Sequence, residues 1–240
     1  MNVNELIELI QNDSFKKESI GTKKEKSIHQ FIKYYISTDV RTHEVSLSSK
    51  IIDVYVNNTI YEIQTRGFYK LRDKLSVLLP NYKVTICFPI YCDKTIELIS
   101  DDKSISLRKS PKKEYACKIL SELYALIPFL NNDNLSFKLF MFSVLEKQTF
   151  RINKYKKMVR TPIDKYPLKL YEIINISSYK DIINILPEEV LTISFCADDF
   201  KKYTHLSSRN ASYALQVLKK LNLIKIVKKD GKKYIYELNK

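Results

Sequence analysis

Three glycines in 240 residues leave no Gly-rich loop to cradle a phosphate, which disfavours P-loop and dinucleotide-binding readings. Tryptophan is absent. The four cysteines, Cys87, Cys92, Cys117 and Cys196, are scattered with no CxxC, and the three histidines do not cluster. That spacing argues against a zinc site. It suits reduced, mostly buried thiols in a cytoplasmic protein. No apolar run approaches the ~20 residues of a membrane span. The opening segment is short and carries Glu5 and Glu8, so it does not read as a signal peptide. No Ser-His-Asp or Cys-His spacing supports a nucleophilic triad.

Acid is scarce relative to base: 27 Asp and Glu against 41 Lys and Arg, a formal net charge of +14. Such an excess favours a polyanionic partner, nucleic acid before an anionic membrane. The plain alternative is a Lys-rich solvated surface. Hydrophobic residues make up 45% of the chain, enough for one large core or two smaller ones.

The most informative stretch is IIDVYVNNTIYEIQTR, residues 51–66. It reads as a β-hairpin turning at Asn57-Asn58, residues that tolerate positive φ. Val56 then pairs with Thr59, which sets Asp53 opposite Glu62. Two carboxylates facing across strands repel. A divalent cation between them explains why a sequence keeps the pair. Gln64, two residues past Glu62, points to the same face. The plain alternative is three polar residues on the solvent side of a half-buried hairpin.

Upstream, Thr22 and Glu25 read as a capping box opening a helix that runs to about Tyr35. Ile28, Phe31, Ile32, Tyr35 and Ile36 form its apolar stripe, and Glu25, His29 and Lys33 form a second, polar one. His29 reads first as a structural histidine one turn from Glu25; His43 and His205 receive no role. A short helix is expected over 4–11, a strand over 43–47, a helix over 68–79 and a buried strand over 83–90.

Asp53 followed by Glu62-Ile63-Gln64 resembles the PD-(D/E)XK nuclease superfamily in its E-x-Q variant, and so does the order helix, three strands, helix, strand over residues 22–90. Gln64 stands where the commonest form has Lys. The resemblance implies an α/β restriction-endonuclease-like αβββαβ core and metal-dependent hydrolysis of DNA phosphodiesters. It implies Mg²⁺ or Mn²⁺ held by Asp53, Glu62 and the Ile63 carbonyl. Glu25, Asp53, Glu62 and Gln64 become the catalytic set, with Lys33, Arg66 or Lys70 as the source of positive charge. It also implies a homodimer, because double-strand cutting by this fold takes two sites.

Further along, strands are expected over 94–99 and 104–108, a helix over 112–127, a strand over 136–145 and a basic loop over 151–165. The last third reads as helices over 178–186, 197–203 and 208–221, then strands over 223–227 and 233–238 joined through Asp230-Gly231. This pattern resembles the winged helix of bacterial regulators. That likeness places Ser207, Ser208, Arg209 and Asn210 at the front of a recognition helix. Lys228, Lys229, Lys232 and Lys233 would grip phosphate from the wing.

The expectation is therefore a nuclease-like domain over 1–168 and a winged helix over 169–240, acting on DNA and not at a membrane. The alternatives are a DNA-binding regulator whose nuclease unit is inactive, or a subunit of a defence or repair complex.

Overall fold

The computed structural model describes residues 1–12, 25–100, 103–152 and 154–239. Thr22, expected as a cap, lies outside them, as do Asp101 and Asp102. Helix α1 (Val3–Gln11) opens with a capping box between Asn2 and Glu5. Helix α2 (Ser27–Ile36) buries Ile28, Phe31 and Ile32, the expected stripe. It begins two residues after Glu25, so Glu25 precedes the helix rather than sitting in it.

Strands β1 (His43–Leu47), β2 (Lys50–Val56) and β3 (Thr59–Ile63) form an antiparallel meander. Asn57 and Asn58 turn the hairpin with φ of 49° and 57°. Gly67 then takes φ 72° and leads through a 3₁₀ turn into α3 (Arg72–Leu78). Strand β4 (Lys83–Ser100) follows, parallel to β3. The order helix, three strands, helix, strand read from the sequence is the order found.

The strands expected over 83–90 and 94–99 are one 18-residue strand, and β5 (Lys103–Lys109) pairs with its far half. The single helix expected over 112–127 is instead a 3₁₀ turn, the short α4 (Ile119–Leu123) and a second 3₁₀ turn. Its start is late because Glu114 is tied in extended form to β4: its amide donates to the Tyr91 carbonyl and its carboxylate accepts the Tyr91 amide. Pro128 disfavours α geometry at its end.

Strand β6 (Leu135–Ile152) lies parallel to β4, and β7 (Met158–Ile176) returns antiparallel along it. The seven-stranded mixed sheet runs β1-β2-β3-β4-β6-β7, with β5 beside the far half of β4. The basic segment 151–165 is thus mostly strand, not loop. Pro162 within it and Pro167 just beyond are accommodated because both fall at register shifts on an edge strand. The boundary expected between 168 and 169 falls inside β7.

Alternation on β4 splits the interior. Val84, Ile86, Phe88 and Ile90 point into the larger core with α3 and α4, while Cys87 faces α1 and α2. After β7 come a 3₁₀ turn over Tyr179–Ile185, the unanticipated α5 (Glu188–Thr192), α6 (Ala197–Thr204) and α7 (Ser208–Lys220). Strands β8 (Ile224–Asp230) and β9 (Lys233–Leu238) form a separate two-stranded sheet. Phe195, Phe200, Leu218 and Tyr236 of this last third are continuous with the larger core. Among the described residues no helix is long and apolar enough to cross a membrane.

Candidate active site

The turn sets the register: Val56 pairs with Thr59, Tyr55 with Ile60 and Val54 with Tyr61. The ladder ends there. One step on, the Asp53 carboxylate reaches across and accepts the Ile63 amide at 2.7 Å. The expected pairing of Asp53 with Glu62 is not part of the ladder; Asp53 is tied instead to the Ile63 amide, and from there its charge acts on Glu62.

Glu62 is 4% exposed. Its Oε2 faces the Lys74 ammonium at 2.6 Å, and its Oε1 is buried with no hydrogen-bond partner among the described residues. Burial, reinforced by the charge of Asp53, raises the Glu62 carboxyl to about 7 despite Lys74. Burial would raise Asp53 as well, but the His29 imidazole and the Ile63 amide hold it below the usual carboxylate range.

On α2, His29 bridges two acids. Its Nδ1 meets the Glu25 carboxylate, and its Nε2 lies 3.5 Å from Asp53 Oδ2. Burial opposes a charged imidazole, yet the two carboxylates raise it to about 9. Buried Lys33 lies 2.7 Å from Glu25 and 3.0 Å from Glu44. His29 and Lys33 draw Glu25 below its ordinary range against the effect of burial. The stripe of Glu25, His29 and Lys33 is therefore real, although Glu25 sits outside the helix.

Gln64 extends the β3–β4 ladder through its amide, which donates to the Cys87 carbonyl. Its side chain donates to the Arg66 carbonyl at 2.5 Å. Of the cations named from the sequence, Lys33 reaches Glu25, and Lys70 lies 5.9 Å from the Tyr69 ring centroid. The cation that meets Glu62 is Lys74, which sequence reasoning missed. The signal was present: Leu71, Lys74, Leu75 and Leu78 share one helical face, so Lys74 interrupts an apolar stripe.

Among the described residues no three His, Cys, Asp or Glu side chains converge to hold a metal ion. The donors that fit a hard cation are the Asp53 and Glu62 carboxylates, with the Ile63 carbonyl. Magnesium is commonly held by one or two carboxylates, the remaining positions going to water and substrate phosphate. The partnerless Glu62 oxygen suits that role.

Immediately past Gln64 opens a cleft of about 630 Å³, bordered by Thr65 and Arg66. Lys26, Arg66, Lys94, Lys112, Lys118 and Lys165 line it. Its four acids are engaged within the fold. Glu146 meets Lys94 and Lys165, and Glu114 meets Lys118. Glu122 accepts the Gly67 and Phe68 amides, and Asp164 accepts from Ser27. Arg66 and Lys112 have no acidic partner among the described residues, so the cleft carries uncompensated positive charge. Tyr91 forms part of its wall, with Lys118 and Lys165 over its ring at 5.5 and 5.2 Å.

In the last third, Ser207 caps α7 by accepting the Asn210 amide, and Ser208 and Arg209 are exposed. Arg209 donates to the Tyr213 hydroxyl and lies over its ring. Tyr213 in turn stacks on Tyr124 at 4.6 Å. Lys228, Lys229, Lys232 and Lys233 are exposed on the β8–β9 hairpin, but Lys233 is held by Asp198 at 2.8 Å.

The chain is 27% identical over 228 residues to an uncharacterized protein of Treponema pallidum (strain Nichols), covering 91% of this chain and 87% of that one. No solved structure matches it. Residues 26–177, from the residue before α2 to the residue after β7, match the model of a domain of unknown function, DUF8091. The match embraces the whole seven-stranded sheet and both carboxylates, and the chain belongs to the DUF8091 family.

Proposed function

We propose that this chain is a metal-dependent DNA nuclease, a restriction-endonuclease-like unit of the E-x-Q type joined to a C-terminal winged helix. The observation that carries the reading is Asp53 on β2 beside Glu62 near the end of β3, with one Glu62 oxygen buried and without a partner among the described residues. The element order up to β4 supports the core, and α6, α7 and the basic β8–β9 hairpin support the winged helix.

Mg²⁺ or Mn²⁺ would be held by Asp53, Glu62 and the Ile63 carbonyl. Bound there, the ion would supply a water of lowered pKa and offset charge on the phosphate. His29 holds Asp53 ionised and in place, while Glu25 and Lys33 fix His29 from behind. Lys74 keeps a positive charge against Glu62. Gln64 can orient water or phosphate by hydrogen bonds but brings no charge. Arg66 and Lys112 in the adjoining cleft fit the neighbouring phosphates. In this reading the protein works in the cytoplasm on DNA, as a homodimer where both strands are cut.

One observation favours a second reading. His29 and Lys74 already compensate both carboxylates, which is how a DNA-binding regulator or complex subunit with an inactive nuclease unit would keep them stable. A cleavage assay on supercoiled plasmid and single-stranded DNA, with Mg²⁺, Mn²⁺ or EDTA, separates the two. Metal-dependent cutting that disappears in Glu62→Ala is expected. Salt-sensitive binding with no cutting in any metal would leave the regulator.

A further inference from the structure

We propose that the far halves of β4, β5, β6 and β7 form an arm that grips duplex nucleic acid flanking the carboxylate site. This rests on the nucleic-acid reading above and adds where the flanking duplex is held.

The position follows from strand direction. β3 ends at Ile63, paired with Cys87, and parallel β4 continues for another thirteen residues to Ser100. At about 3.3 Å per residue that is roughly 40 Å of strand beyond Ile63. Because β3 and β4 run the same way, the extension leaves the sheet at the edge that carries Asp53 and Glu62. β6 accompanies it to Gln148 and runs on to Ile152, and β7 returns along β6 past the cationic cleft through Pro162 and Lys165.

Ile96, Leu98 and Val144 are buried where the arm leaves the sheet, but its tip and β5 have little to do with the core. All seven residues of β5 are exposed, as is every described residue from Phe150 to Met158. A two-stranded tip exposed on both faces contributes little stability. Its composition is one-sided instead. Residues 147–160 carry six Lys and Arg and no acid. Together with residues 94–109 this stretch holds ten cations against three acids, half of the net charge of the chain.

Apolar groups lie among these charges. Ile152 and Tyr155 are 74% and 69% exposed, Lys154 lies over the Tyr155 ring, and Arg160 over Phe150. Base spread along some 40 Å matches one turn of duplex, about 34 Å, better than it matches a point contact. The arm also rises beside Arg66 and Lys112, cleft cations with no acidic partner among the described residues. A backbone leaving the carboxylate site in that direction would meet the arm next.

The test is fluorescence anisotropy in EDTA with labelled duplexes of about 10 and about 30 base pairs at several salt concentrations. Wild type is compared with R151Q/K154Q/K157Q/R160Q and the charge-keeping R151K/R160K. Wild type should bind the longer duplex at least ~10-fold tighter; the quadruple variant should lose that gain and about 3–4 units of the log K against log salt slope. The charge-keeping variant should retain both.

An unchanged length dependence and slope in the quadruple variant would overturn the proposal, as would failure of wild type to bind either duplex. So would a variant that keeps DNA binding but loses adhesion to anionic vesicles, or loses only self-association in sedimentation. The two readings fail separately. Arm-dependent binding without cutting in Mg²⁺ or Mn²⁺ sinks the nuclease, and cutting with arm-independent binding sinks the arm.

Discussion

The Lys74 ammonium lies 2.6 Å from one oxygen of Glu62, and the other oxygen of that carboxylate is buried without a hydrogen-bond partner among the described residues. Removing the ammonium leaves a buried carboxylate with no compensation. Lys74→Met should therefore destabilise the fold by roughly 2–4 kcal/mol near pH 8, slightly less than a fully buried pair because the Lys74 side chain is partly exposed. Near pH 5 Glu62 takes up a proton, and the cost should shrink to about 1 kcal/mol. Urea unfolding at the two pH values measures the difference; equal losses would show that Lys74 acts by packing alone.

The raised groups of the site give a pH dependence with a definite sign. Glu62 is raised to about 7 from an ordinary 4.5, so the folded chain holds this proton more tightly than the unfolded one. That contribution is complete below pH 4.5 and disappears as pH rises through 7. His29 is raised to about 9 from 6.5, so its contribution is complete below pH 6.5 and disappears as pH rises through 9. Both act in the same direction, and stability in EDTA should decline between about pH 4.5 and 9. Glu62→Gln should flatten the lower part of the decline and His29→Asn the upper part. Melting curves across this range check it, and a wild-type profile that rises with pH would contradict both assignments.

The hairpin was legible because its register depends on local chemistry alone: two asparagines at positive φ fix which residues face each other. The polar group of Glu25, His29 and Lys33 was legible for the same reason, since Glu25 and His29 are four residues apart. Lys74 was not, because its contact joins α3 to β3 through a fold the sequence does not print. The basic segment 151–165 looked like a loop through its charge and prolines. It is strand because β6 supplies a long partner and the prolines fall at register shifts on the edge. The helix expected over 112–127 failed where a tertiary tie between Glu114 and Tyr91 outcompeted local propensity.

Charge on the β8–β9 hairpin is not uniform in its availability. Lys233 is engaged by Asp198, whereas Lys228 and Lys232 extend from the hairpin without an acidic partner among the described residues. Lys228→Gln with Lys232→Gln should weaken DNA binding and lower the salt slope by about 2. Lys233→Gln should change the slope by less than about half a unit, because its charge is already countered. Anisotropy titrations at several salt concentrations decide it; equal effects would mean that Asp198 lets go of Lys233 when DNA binds.

The stack of Tyr124 on Tyr213, with Arg209 over the outer ring, fixes one face of α7 against the turn that follows α4. Arg209, expected to reach DNA, is exposed and lies over the Tyr213 ring. Tyr124→Ala and Tyr213→Ala should each destabilise the protein, and the double variant should cost less than their sum. The coupling should be about 0.5–1.5 kcal/mol, the range for an offset aromatic pair beyond its buried area. Arg209→Ala should then weaken DNA binding more in the Tyr213→Ala background than in wild type, because the guanidinium is released from the ring it covers. Strict additivity in unfolding free energy would remove the stack as a tie between α7 and the sheet unit.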